Sequence, residues 1–165
     1  IDIEQTILEE SLDIISWSLK NAKADSEASH WKIHLKTNQN AVDALIADND
    51  GWFKEALDAY KYPEKFPEFD RSEAREKGSE YILNLNSMLE SHAYLFGNEF
   101  TMADAAILPF VRQFAHVDQE WFYAKDWENV ITWLDNFKQS ERFAAIMPKF
   151  KQWRVGDDPV WFGDA

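Results

Sequence analysis

The stretch from Phe100 to His116, Phe-Thr-Met-Ala-Asp-Ala-Ala-Ile-Leu-Pro-Phe-Val-Arg-Gln-Phe-Ala-His, constrains the fold more than any other part of this chain. Read as a helix it is apolar on nearly every side, and a helix that is apolar all round has to be covered all round. It is therefore expected to form the buried axis of a helical bundle. Thr101 and Asp104 supply its start. The Thr101 oxygen is placed to accept from the Asp104 amide while Asp104 reaches back to the Thr101 amide, a shortened capping box. Pro109 lies inside the helix, lacks an amide hydrogen and crowds the carbonyl one turn back, so a kink is expected there.

The chain carries enough apolar material to cover such an axis. It has 165 residues, 45% of them hydrophobic, with 12 Phe, 8 Trp and 5 Tyr, which suits one domain with a bulky core. Its 30 acidic residues outnumber 17 basic ones, giving a formal charge of -13. Such a surface repels phosphate backbones and anionic lipid, so neither nucleic acid nor membrane is expected as a partner. With no cysteine there is no disulfide framework and no thiolate nucleophile in these residues. Nothing resembles a signal peptide or an apolar run long enough to span a bilayer, and the expected location is the cytoplasm.

Along the chain, Ile1-Asp2-Ile3 and Thr6-Ile7-Leu8 are β-branched and favour extended structure, which one or two strands cannot stabilise alone. Ser11 is expected to cap a helix running to about Asn21, with Leu12, Ile15 and Leu19 inward. A second helical stretch runs from near Ser29 to about Asp48, and Asp48-Asn-Asp-Gly51 reads as a turn. Trp52 to Tyr60 gives a short amphipathic helix, and Asp70 with Glu73 opens a long one to about Ala93. Gly78 inside it marks a close helix approach, since Gly there lowers helix stability by about 1 kcal/mol against Ala. Tyr94 to Gly97 turns into the central helix, and Trp121-Phe122-Tyr123 reads as an aromatic loop. Asp126 is expected to cap a further helix with Val130, Trp133, Leu134 and Phe137 inward, Ser140 a last short one, and Trp161 and Phe162 to pin an irregular tail.

Residue types alone reveal little chemistry. His30 and His34 stand four apart on one helical stretch, a spacing that suits a metal, but no third ligand accompanies them and they read as a surface pair; no metal is expected. Glu9-Glu10 and Asp157-Asp158 are adjacent in sequence, where side chains diverge, so they do not form an acid–base dyad. Arg112 is a basic residue among apolar ones, expected to pair internally with a carboxylate, the alternative being that it faces a cleft towards an anion. Ser11 reads as a plain N-cap.

The ordered set is more specific than any one motif. The Thr101-x-x-Asp104 box opening a buried helix, its lead Leu95-Phe-Gly97-Asn-Glu-Phe-Thr-Met-Ala-Asp104, and the later Trp133-Leu134-x-x-Phe137 and Ser140-x-x-Phe143 resemble the all-helical C-terminal domain of glutathione S-transferases. Asp-Ala-Ala-Ile-Leu-Pro-Phe-Val-Arg-Gln-Phe is similar to bacterial members close to the two-domain glutaredoxins, and the resemblance spans nearly the whole chain. It implies an all-α bundle around a buried central helix over residues 22–165. It also implies that residues 1–21 are a short remnant, the last strand and helix of a thioredoxin-like α/β domain whose earlier part is missing.

In that family the last strand and helix of the thioredoxin-like domain contain a Glu-Ser or Gln-Ser pair, and Gln5-Thr-Ile-Leu-Glu-Glu10-Ser11 matches that place. The resemblance thus implies glutathione as co-substrate, its carboxylate held by the amide and hydroxyl of Ser11 at a positive helix end and its ammonium paired with Glu10. The family's catalytic Cys, Ser or Tyr belongs to a region outside this chain, so no catalytic residue is assigned. The second, small apolar or disulfide substrate would lie against the helical domain, with Trp31, Phe110 and Phe114 as candidates for its wall and core filling as the plainer role for each. The intact protein is thereby expected to conjugate glutathione to electrophiles or to exchange thiols and disulfides; much of the family forms homodimers. The contrasting expectation is a non-catalytic protein-docking module of the same fold, which would suit the negative charge but has less need of Glu10 and Ser11.

Overall fold

A computed structural model describes residues 2–3, 6–8, 10–23 and 26–158. The chain opens with two short antiparallel strands, β1 (Asp2–Ile3) and β2 (Thr6–Ile7), with Asp2 opposite Ile7. The helices follow: α1 (Ser11–Lys20), α2 (Glu27–Asp48), α3 (Lys54–Lys61), α4 (Arg71–Met88), α5 (Met102–Val117), α6 (Gln119–Tyr123), α7 (Glu128–Lys138) and α8 (Glu141–Ile146). The fold is an all-α bundle, apart from that strand pair.

Helix α5 is its axis. Ile107, Leu108 and Val111 are wholly buried, Ala103 and Phe114 nearly so, and α2, α3, α6 and α7 pack on α5. Removing each such aliphatic side chain from water contributes roughly 1.5–3 kcal/mol, which is why this segment and not a more polar one occupies the centre. The helix starts at a capping box, with the Thr101 amide and hydroxyl both donating to Asp104 Oδ2 at 2.9 Å. The expected kink does not divide α5: it runs from Met102 to Val117 with the exposed Pro109 inside it.

Several helix ends differ from the pattern in the sequence, each for a local reason. At Asp48 to Gly51 the helix does break as the sequence suggests: α2 ends at Asp48, the backbone leaves helical geometry at Gly51 (φ -89°, ψ -112°), and α3 begins at Lys54. Phe53 is thereby turned fully inward, stacked on Tyr81 with ring centroids 4.4 Å apart. Helix α4 is capped by Asp70, which accepts from the amides of Ser72 and Glu73, but it ends at Met88 and leaves His92 exposed. Trp121 to Tyr123 forms a helical turn capped by Asp118 instead of a loop. Asp126 does not cap α7: Trp127 occupies that position, its indole donating to the Phe122 carbonyl at 2.9 Å. Ser140 caps α8 as expected, accepting from the Phe143 amide at 3.1 Å.

Tyr94 and Gly97 bond each other across a tight turn, and Gly97 has φ +141°, a backbone state open to glycine alone at little cost. Residues 147–158 carry no regular helix or strand. Trp161 and Phe162, expected to pin the tail, lie outside the described residues, as do Ile1, Gln5 and Glu9. No helix among the described residues is long and apolar enough to cross a membrane.

Candidate functional site

The N-terminus of α1 carries the pair singled out in the sequence. Glu10, and not Ser11, is the N-cap: its backbone is extended (φ -94°, ψ 148°) and its carbonyl accepts from the Ile14 amide at 3.2 Å. Ser11 is thus the first helical residue. The Glu10 side chain makes no cap bond, and Glu10 and Ser11 are both exposed. The first amides of a helix have no partner inside it and sit at the positive end of its dipole. Such an end accepts a carboxylate, while Glu10 beside it suits an ammonium.

Next to this end lies the largest groove described, about 720 Å³, between α1 and α2. Leu12, which follows Ser11 directly, lies on its wall with Leu19, Leu35, Ile46 and Met102, while Lys20, Lys32 and Lys36 line it from the polar side. An apolar trough beginning one residue beyond an anion-accepting helix end places a polar and an apolar recognition surface side by side. Sequence patterning made Leu12 and Leu19 inward residues of α1; that α1 and α2 leave a trough between them is decided only by how they pack.

The aromatic candidates do not converge. Trp31 is half-buried on α2, 5.9 Å from the Phe100 ring, and lines a narrow cleft with His34 and Phe96 that holds about 10 Å³, too little for a ligand. Phe110 is half-buried on α5 and packs against the core. Phe114, 1% exposed, is enclosed by Phe53, Tyr60, Trp121 and Phe122 and touches the spot where a side chain on Gly78 would stand. Phe114 therefore fills the core.

The two histidines on α2 separate in role. His34 Nε2 lies 3.4 Å from Glu99 Oε2, and His30 is exposed. Arg112 departs from expectation. Among the described residues it pairs with no carboxylate; its guanidinium lies over the Phe143 ring, 5.6 Å from the centroid, and borders a cavity together with Lys61, Arg71 and His116.

Asp104 places a carboxylate wholly inside the core. Burial pushes its pKa up, and hydrogen bonds from the Leu95 amide, the Thr101 amide and hydroxyl, and the Trp133 indole act against that push. With four donors and no open face it is built for structure and not for proton transfer.

Comparison with known families gives one match: residues 67–136 fit the model of the glutathione S-transferase C-terminal domain. That segment runs from the approach to α4 to the last turns of α7 and includes the whole of α5. Neither curated proteins nor solved structures give a match.

Proposed function

Because the chain carries a glutathione S-transferase C-terminal-like domain, we propose that it is part of a protein that binds glutathione through Glu10 and Ser11 and acts on a small apolar or disulfide substrate. The intact protein conjugates glutathione to electrophiles or uses it for thiol–disulfide exchange, in the manner of the two-domain glutaredoxins. The single observation carrying this reading is the first turn of α1: an exposed Ser11 at a helix N-terminus, with the exposed Glu10 one residue before it. The γ-glutamyl end of glutathione bears a carboxylate and an ammonium on one carbon, and these two protein groups complement it in charge and in hydrogen bonding.

The strand pair β1–β2 leading into α1 supports placing residues 1–21 in a thioredoxin-like domain, since a two-stranded ribbon needs further strands or a packed helix to be stable. The groove beside Leu12 supports an apolar second ligand lying against α2. In this arrangement the present residues bind and orient glutathione and shield the second substrate from water, while thiol activation comes from residues outside this chain.

Glutathione titration by calorimetry tests the assignment, with the wild-type chain and a Ser11→Ala variant side by side. Loss of the hydroxyl should weaken binding about tenfold, the range of a hydrogen bond to a charged group. Equal affinity of the two proteins removes Ser11 from the site, and absence of any saturable binding to the full-length protein removes the proposal.

A further inference from the structure

The cavity that borders Arg112 belongs to neither the α1 end nor the groove beside it. It holds about 380 Å³ between the end of α3, the start of α4 and the C-terminal half of α5. Its wall is Lys61, Arg71, Arg112, Gln113, His116 and Val117, with no carboxylate among them, in a chain where acidic residues outnumber basic ones 30 to 17. Like charges gathered on one surface repel, so three fixed cations and an imidazole without an acidic partner are held together at a cost that a bound anion would remove.

Each cationic group is also held with donors to spare. Arg71 Nε donates to the Tyr60 carbonyl at 3.1 Å and its guanidinium lies over the Tyr60 ring, which fixes the stem and leaves the terminal nitrogens unpaired. Lys61 Nζ donates to Gln113 Oε1 at 2.8 Å; this uses the acceptor of Gln113 and leaves its amide nitrogen as a donor. Arg112 makes no hydrogen bond among the described residues and rests on Phe143. The three cationic side chains of the wall therefore offer donors only. Asp70 and Asp118 line a neighbouring cavity that shares Arg71, and Oδ1 of each accepts helix-cap amides, from Ser72 and Glu73 at Asp70 and from Trp121 at Asp118. The His116 pKa is pulled down first by partial desolvation and then by Arg112 and Lys138, so the local field is positive in spite of the net charge.

We propose that this cavity, bounded by Lys61, Arg71, Arg112 and His116, binds a small multiply charged anion of the phosphate class. Two guanidinium groups favour phosphate, whose oxygens accept their paired N–H donors bidentately, over a single carboxylate. The volume admits a phosphate or pyrophosphate group with a small organic remainder and no macromolecule. The site is independent of Glu10 and Ser11.

The test is titration of the full chain with inorganic pyrophosphate at low ionic strength, followed by calorimetry. The wild type should show one saturable site. Arg112→Gln and Lys61→Gln should each weaken it by about tenfold or more, while Lys151→Gln, an exposed lysine paired with Asp157, should leave it unchanged. Thermal melts establish that each variant is folded; if Arg112→Gln is not, Lys61→Gln carries the comparison. No saturable binding by the wild type, or equal weakening by Lys151→Gln, overturns the site. Binding to phosphatidylserine-containing vesicles with no response to pyrophosphate overturns the small-anion assignment.

Discussion

The indole N–H of Trp133 on α7 donates to Asp104 Oδ1 on α5 at 3.0 Å, and the same oxygen accepts from the Leu95 amide at 3.1 Å. One buried carboxylate therefore joins the turn before the central helix, the first turn of that helix and a helix some thirty residues further on. Asp104 has no exposed surface and Trp133 is 3% exposed, so neither can replace the other's hydrogen bond with water.

Removing that carboxylate leaves the donors of Leu95, Thr101 and Trp133 unpaired inside the core. Each unsatisfied buried group costs about 1–3 kcal/mol, so Asp104→Ala is expected to lose at least about 3 kcal/mol. Thr101→Ala, which removes one donor and one half of the cap, should lose about 1 kcal/mol. Urea denaturation of both variants measures the difference, and equal midpoints would contradict the role given to Asp104.

Gly78 on α4 gives way to the Phe114 ring: a Cβ at that position would stand 2.5 Å from Phe114 Cε2. Phe114 cannot retreat, being 1% exposed and surrounded by other rings. Gly78→Ala gains about 1 kcal/mol of helix propensity but overpacks the core, which costs about 1–3 kcal/mol. A net loss is expected, with Phe114→Leu in the same chain relieving it. A double-mutant cycle by denaturation reads the coupling; additive losses would show that the two residues do not share this space.

His116 sets a pH dependence. His116 is exposed, and its partial desolvation, then Arg112 and Lys138, depress its pKa, while Lys61 and Arg71 border the same cavity and no carboxylate pairs with it among the described residues. A depressed pKa means that the unfolded chain takes up the proton first. The contribution of neutral His116 to stability is therefore complete above the ordinary histidine value of about 6.5 and is lost as pH falls through the folded value. His116→Gln should flatten the decline in urea midpoint between roughly pH 7 and pH 5 relative to wild type. Parallel curves for the two proteins would exclude the histidine as its source.

How far the sequence could be read depends on the range of the forces involved. Asp70 and Ser140 cap their helices as the sequence suggests because a cap is a contact across three residues. Trp127 takes the cap position expected of Asp126 because its indole is drawn to the Phe122 carbonyl and its ring to the core, a demand set by packing. The break at Gly51 was legible because Asn49, Asp50 and Gly51 are locally free to turn, whereas the stacking of Phe53 on Tyr81 just beyond it is decided by packing. At the candidate sites, Glu10 and Ser11 were legible from a helix start and a family resemblance. The donor-only wall of Lys61, Arg71 and Arg112 was not, because those residues come from three helices.

By itself the sequence determined that Phe100 to His116 is the buried axis, since a segment apolar on all sides has only one stable environment, and that Thr101 and Asp104 begin it. What the tertiary structure alone decided is where charge and space are left over. Asp104 became a hub because Trp133 arrived from another helix, and Arg112 was left without a carboxylate because none of the described acidic residues is brought to it. Hydrophobic periodicity fixes which face of a helix turns inward, but the pairing of polar groups between helices follows from the angles and offsets at which those faces meet.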